Sequence, residues 1–361
     1  MERDPYGAPP STRRHIFLRL PPFLWLRGFG MTAHRAVRTL LTVGVAVAAA
    51  CQPSEAPPAN EDESREAAST TRTPGIQAMN AFYYYDDVEA AWTFYTETLG
   101  LPTVVDYGFA KILRVAESSY LTLVDAAEGM HSTDEPRTAT LAFVTEQVEA
   151  WWDYLTSREV PMRSDFRAAE GRPHDGFVAV DPEGYLLEFE RFNPHAENEQ
   201  LLPRLAGAEV QYPAQAIETS RPPELGVQAT VLWLYYRDLE GVERFYSDML
   251  DRERIVDQGW AKVFPVSSSG YLGLVDGERG LHSATDEKSV TVSFFTDDVE
   301  GWLSYMRGRE GFQLRTREVT DESGRVGVFI GYDPEGYFLE WDTFLDVEGN
   351  EALLALLNGV R

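Results

Sequence analysis

Residues Asp181–Glu188 read DPEGYLLE, and residues Asp333–Glu340 read DPEGYFLE. Asp-Pro followed by Glu-Gly is turn chemistry, because proline presets φ and glycine takes a left-handed conformation without steric cost. The Tyr-x-Leu-Glu that follows belongs to a short β-type run. Each copy therefore predicts two strands hinged by a tight turn, the second carrying a glutamate: Glu188 in one copy, Glu340 in the other.

Outward from these turns the chain repeats itself. A shift of 151 residues aligns Met79–Leu155 with Thr230–Met306 without a gap, and 29 of the 77 positions are identical. Tyr84-Tyr85 falls on Tyr235-Tyr236, and Phe94-Tyr95 on Phe245-Tyr246. The stretch Tyr120–Asp125 falls on Tyr271–Asp276, broken only at Thr122. Residues 76–192 and 227–346 are thus two copies of one domain, joined by a Pro- and Ala-containing linker over 193–226. Each copy is itself doubled, since VEAAWTFYT (Val88–Thr96) echoes VEAWWDYLT (Val148–Thr156). Both follow a polar or acidic cap and space their apolar residues as a helix does. A strand-like run precedes each, Asn80–Tyr85 and Thr140–Val144. Three more follow each: Thr103–Asp106, Phe109–Val115 and Tyr120–Val124, then Pro161–Asp165, Gly176–Val180 and Tyr185–Glu190. The predicted fold class is α+β, two tandem domains, each a pair of βαβββ modules. The tail over 347–361 reads as a short amphipathic helix packed on the second domain.

Composition narrows the function. The 361 residues are 43% apolar and 25% charged, an ordinary globular balance. Acidic side chains outnumber basic ones 58 to 32, a net charge of −26. That lacks the basic footprint of a nucleic-acid binder, and anionic lipid repels it. A single cysteine excludes a disulfide framework and any Cys-rich zinc module.

That cysteine is Cys51, and its place is informative. His34, Arg35 and Arg38 precede an uncharged, largely apolar run from Thr39 to Ala50, which ends in three alanines before Cys51. The run is too short to span a bilayer and fits a secretory signal. Small residues before a cysteine resemble the lipobox of bacterial lipoproteins, in which the cysteine is acylated. Residues 1–50 are read as the signal region, with Met31 a candidate start, and 51–75, rich in Pro, Ala, Glu and Ser, as a flexible tether. The implied address is extracytoplasmic, touching the membrane through the lipid only. Removal of residues 1–50, which hold seven arginines and two acids, leaves the mature chain more acidic still.

The order and spacing of these elements, with "D-[VL]-E…FY…L", "YLxLVD" and "DP-E-G-Y-x-L-E", resemble the vicinal oxygen chelate superfamily. That group contains glyoxalases, bleomycin-resistance proteins and extradiol dioxygenases. The resemblance implies that paired modules curl a mixed sheet into a cup that holds the ligand, with the two domains packed together. In enzymes of the family a divalent metal sits in the cup on His, Gln or Glu. Carried onto this chain, those positions are Asn80, Leu123, Thr140 and Glu188 in the first domain, and Val231, Leu274, Thr291 and Glu340 in the second. Only the two glutamates are good ligands, so no metal or other cofactor is expected.

Other residues compete for a role. Alternation along the first strand places Phe82 and Tyr84 with Asn80, and Trp233 and Tyr235 with Val231. Aromatic faces beside Glu188 or Glu340 suit a cationic or aromatic ligand; the alternative is that they only fill the cup. His131 and His282 recur in matching G-x-H-S loops, as ligand contacts or as turn hydrogen bonds. Lys111 and Lys262 recur inside G-[FW]-A-K, either facing a ligand or ion-paired with Asp106 and Asp257. The leading expectation is a small-molecule binding protein. A metal-dependent lyase or dioxygenase with an unusual ligand set, such as His131 with Glu188, and an envelope interaction scaffold are the alternatives.

Overall fold

The computed structural model of the protein describes residues 72–168, 171–213 and 218–359, all within one compact unit, 68–361. The signal region, Cys51 and the tether up to residue 71 lie outside the described residues.

Four modules follow one another. The first is β1 (Ala78–Tyr85), α1 (Val88–Thr93), β2 (Thr103–Asp106), β3 (Ala110–Ala116) and β4 (Ser119–Asp125). The second is β5 (Ala139–Val144), α2 (Val148–Ser157), β6 (Met162–Ser164), β7 (His174–Val180) and β8 (Leu186–Phe192), followed by the short helix α3 (Leu202–Gly207). The third is β9 (Ala229–Tyr236), α4 (Leu239–Leu250), β10 (Val256–Asp257), β11 (Ala261–Pro265) and β12 (Gly270–Asp276). The fourth is β13 (Thr291–Phe295), α5 (Val299–Met306), β14 (Gln313–Leu314), β15 (Thr320–Glu322), β16 (Val326–Tyr332) and β17 (Phe338–Phe344), with α6 (Glu351–Gly359) after it. Three of the module helices start where an aspartate, Asp87, Asp238 or Asp298, accepts from a first-turn N–H. Such caps satisfy one of the orphan donors of a helix start.

The modules pair across the repeats. One sheet runs β14-β16-β17-β13-β1-β4-β3-β2, with β15 on β16, and the other runs β10-β11-β12-β9-β5-β8-β7-β6. Antiparallel β1–β13 joins the first module to the fourth, and antiparallel β5–β9 joins the second to the third. Residues 76–192 and 227–346 mark the duplication, but neither closes a sheet by itself, as the sequence repeats suggested. All four modules offer the same kind of edge strand, so pattern alone does not say which edge meets which.

Modules of one repeat are held together by the DPEGY turn instead. Asp181 Oδ1 accepts from the backbone N–H groups of Glu183, Gly184 and Tyr185, while Oδ2 accepts from the hydroxyls of Tyr85 and Tyr95. Glu183 accepts from the N–H groups of Asp86 and Asp87, at the start of α1. Gly184 sits at φ +100°, which is why the turn needs glycine. Asp333, Glu335, Tyr236 and Tyr246 repeat the arrangement in the second copy.

Side-chain alternation then separates two layers. Met79, Ala81, Tyr83 and Tyr85 of β1 and Leu232, Leu234 and Tyr236 of β9 share one core with the helices and with both sheets. The opposite faces, called the cup faces here, carry separate clusters. On the second sheet this cluster is covered by Leu201 and Leu205, so the 193–226 segment does more than connect. On the first sheet Leu353 and Leu357 of α6 do the same. Order also begins before residue 76, since Gly75 O accepts from Trp302 Nε1.

Candidate functional site

The module exchange decides which site residues meet. Register places Asn80 opposite Ser293, and Ser293 beside Glu340, so Asn80, Phe82 and Tyr84 share the first sheet's cup face with Glu340. Ala142 lies between Val231 and Glu188, so Trp233 and Tyr235 share the second sheet's cup face with Glu188. Phe82 and Tyr84 therefore do not join Glu188, as the repeat boundaries implied.

The second sheet's cup face holds a cavity of about 260 Å³. Glu188 and Glu190 of β8, Trp233 and Tyr235 of β9, His174 of β7 and Trp260 before β11 line it. Phe192 and Arg279 also line it, the Arg279 guanidinium lying 5.5 Å from the centroid of Trp260. Trp233 fits because Gly273 faces it: a Cβ there would lie 2.0 Å from the indole. A larger hollow of about 700 Å³ between Gly75, Arg204, Arg252 and Pro265 has no aromatic side chain in its lining.

Glu190 is 1% exposed, whereas Glu188 keeps partial exposure at the cavity wall. Among the described residues neither has an ion-pair partner within 4 Å. Burial raises the Glu188 carboxyl to about 7. Burial and then the Glu188 charge hold Glu190 well above the carboxylate range, opposed by the Trp233 indole. Even so, Trp233 Nε1, Glu190 Oε1 and His174 Nδ1 reach no partner at hydrogen-bond geometry. Tyr235 donates to or accepts from Thr140 Oγ1 at 2.9 Å, and burial raises its hydroxyl.

The first sheet's cup face has the same plan with other partners. Glu340 and Asp342 lie two residues apart on one face of β17, and Ser293 donates to Asp342 at 2.5 Å. Burial raises both carboxyls, Asp342 to about 7. Tyr84 meets Thr291 at 2.7 Å, and Asn80 and Thr122 hydrogen-bond each other. Here too a cation of the chain itself lies on an aromatic side chain: Arg315 is 5.1 Å from the centroid of Phe338.

The two loop histidines close against the tyrosines. His131 lies edge-on to Tyr84 at 4.9 Å, and His282 edge-on to Tyr235 at 5.0 Å. The glycine of each G-x-H-S loop permits this approach, since a Cβ at Gly129 or Gly280 would run into the tyrosine ring. His131 Nδ1 is 2.7 Å from Glu135, and burial lowers both imidazoles, His282 to about 4. His131 thus sits on the first sheet and Glu188 on the second, so they form no common ligand set.

Lys111 and Lys262 face the helices. Their register partners Leu123 and Leu274 belong to the shared core, one residue out of phase with the cup face. Lys111 Nζ lies 3.0 Å from Glu89 and 3.1 Å from Asp106, and Lys262 Nζ lies 2.5 Å from Asp257. The ion-pair reading of these lysines is the one the geometry carries. The same one-residue slip replaces Leu123 and Leu274 by Thr122 and Gly273 at the family metal positions.

Those positions do not fit a divalent ion. The second sheet offers Val231, Gly273, Thr140 and Glu188, a single carboxylate. The first offers Asn80, Thr122, Thr291 and Glu340, of which the first three are hydrogen-bonded among themselves or to Tyr84. A metal with an open position needs about three protein donors. Among the described residues no three or more His, Cys, Asp or Glu groups converge.

Sequence reasoning missed Glu190, Asp342, His174 and Trp260. The signal for the two acids was present: Glu188-Phe189-Glu190 and Glu340-Trp341-Asp342 place a second carboxyl two residues on, on the same face.

Comparison with known proteins agrees with this fold. Residues 77–189 match the family model of the Glyoxalase/Bleomycin resistance protein/Dioxygenase superfamily. Glyoxalase I from Zea mays is similar in structure, with a TM-score of 0.51 and 14% identity over 80% of this chain and 96% of that one. A putative dioxygenase from Bacillus subtilis gives a TM-score of 0.53 and 14% identity over 75% of this chain and 86% of that one. No curated protein matches the sequence. Residues 77–189, the first repeat, thus carry a domain of the glyoxalase/bleomycin resistance protein/dioxygenase superfamily, and the second repeat duplicates their sequence pattern.

Proposed function

We propose that this chain is a lipid-anchored, extracytoplasmic binding protein that takes a small aromatic cation, without a metal, into the cavity on the second sheet. One observation carries the reading: aromatic side chains wall a cavity of about 260 Å³ whose two carboxyls, among the described residues, have no ion-pair partner within 4 Å. Ring faces attract a cation and stack on flat ligands. The volume lies below the range of about 300–1,000 Å³ usual for drug-sized ligands, so the occupant is a molecule of one or two rings. A net charge of −26 concentrates cations near the protein.

The anchor rests on Cys51 and the apolar run before it. Among the described residues no helix is long and apolar enough to cross a membrane.

A thermal-shift comparison tests the ligand class. Chelator-treated full-length protein is melted with 1-methylquinolinium, a flat permanent cation, and with neutral quinoline. Stabilisation by the cation that grows with concentration, and little by quinoline, is expected. Equal shifts from both compounds, or none from either, contradict the reading.

A further inference from the structure

We infer that the occupant of the second sheet's cavity enters as a cation in exchange for a proton held by the Glu188–Glu190 pair, with Glu190 the residue that makes the exchange possible. The inference rests on the reading just given and adds its chemistry. Glu188 and Glu190 are two residues apart on one face of β8, so their carboxyls lie side by side above the same sheet. Two adjacent buried charges of like sign cannot both be sustained without a cation, and the pair therefore keeps a proton between them when the cavity holds none.

Among the described residues no cation pairs with either glutamate within 4 Å, although Arg279 lines the cavity and Arg163 of β6 lies near enough for its charge to act on His282. From β7 the groups facing the pair are His174, Gly176 and Val178; from β5 they are Thr140 and Ala142. From β9 come Trp233 and Tyr235, and from the loop after β12 come Arg279 and His282. Arg279 lies against Trp260 and makes no ion pair with either glutamate. His174 and His282 are held towards their neutral forms by burial. Independently of the acids, Trp233 is 8% exposed, and its Nε1 has no partner at hydrogen-bond geometry at the same cavity wall.

The exchange balances in charge. Before binding, at a pH above the value of about 7 for Glu188, the pair carries one proton and one negative charge. A monocation arrives, the carboxyl O–H bond breaks, the proton leaves to solvent, and two carboxylates face one cation. The net charge of the cavity is unchanged, so binding adds no like-charge repulsion with the acidic surface.

Calorimetry of full-length protein with 1-methylquinolinium tests this, because the probe has no proton of its own to lose. Titrations at pH 8, where Glu188 is ionised, in buffers of low and high ionisation enthalpy count the protons released. Close to one proton per cation is expected, with affinity rising with pH, by up to about tenfold per unit, around pH 8. In Glu190→Gln the cation still binds, without proton release and without that pH dependence. A protonated-carboxyl infrared band that fades as the cation is added gives the same answer without any variant. Binding with no proton released by the wild-type protein overturns the exchange and leaves the binding reading intact. Absence of binding overturns both.

Discussion

The hydroxyl of Tyr85, at the end of β1, lies 2.7 Å from Oδ2 of Asp181, which opens the turn between β7 and β8. Tyr95 donates to the same oxygen at 3.0 Å. These residues belong to different sheets, so the carboxyl of Asp181 ties together modules that share no strand pairing. In Asp181→Ala two buried hydroxyls and three backbone N–H groups lose their acceptor. Denaturant unfolding is expected to show a loss of about 3 kcal/mol or more, against about 1 kcal/mol for Tyr85→Phe. A change within about 0.5 kcal/mol for Asp181→Ala would remove the turn from its central role.

The same pair of residues shows what the sequence disclosed and what it withheld. Periodicity and the DPEGY copies located the strands to within a residue or two, because alternation and turn chemistry are local properties. The exchange of modules was not legible, because β1 and β5 are equivalent edges of homologous modules. Two further misreadings come from phase. Leu123 and Leu274 stand one residue from Thr122 and Gly273, and in a strand one residue is the difference between two faces. Lys111 and Lys262 read from the sequence either as ligand contacts or as partners of Asp106 and Asp257, and the strand phase that turns them to the helices favours the second.

Gly273 makes room for Trp233, so Gly273→Ala drives a methyl into the indole. The indole has to leave its seat on the cavity wall. Tryptophan emission should shift, and 1-methylquinolinium should bind about tenfold more weakly, while the protein stays folded by far-ultraviolet circular dichroism. Unchanged affinity in this variant would place the ligand away from Trp233.

The buried carboxyls give stability a definite pH dependence. An unfolded glutamate ionises near 4.5, whereas Glu188 in the fold does so at about 7. Between those values the folded protein holds a proton that the unfolded chain has released, so this contribution to stability is full below about 4.5 and is lost as pH rises. Glu190→Gln removes one of the two coupled acids. The variant should therefore melt higher than the wild type, by an amount that grows from pH 5 to pH 8 to several degrees. The depressed histidines act in the opposite direction but are common to both proteins. A difference in melting temperature that is flat across this range would refute the like-charge coupling.

The proposed address rests on Cys51. Full-length protein produced in a bacterial host should sediment with membranes and incorporate labelled fatty acid. Cys51→Ser should abolish the label and release the protein from the membrane fraction, because a single remaining signal run is too short to span a bilayer. Membrane retention of Cys51→Ser without label would point to attachment by another route.

The most direct measurement is a calorimetric titration of the full-length protein with 1-methylquinolinium after exhaustive chelation. The predicted result is saturable binding of one cation per chain, weakened about tenfold or more in Trp233→Ala, since the indole supplies both stacking area and cation–π attraction. No heat of binding in the chelated protein, or binding that appears only when a divalent metal is restored, would contradict the metal-free cation site.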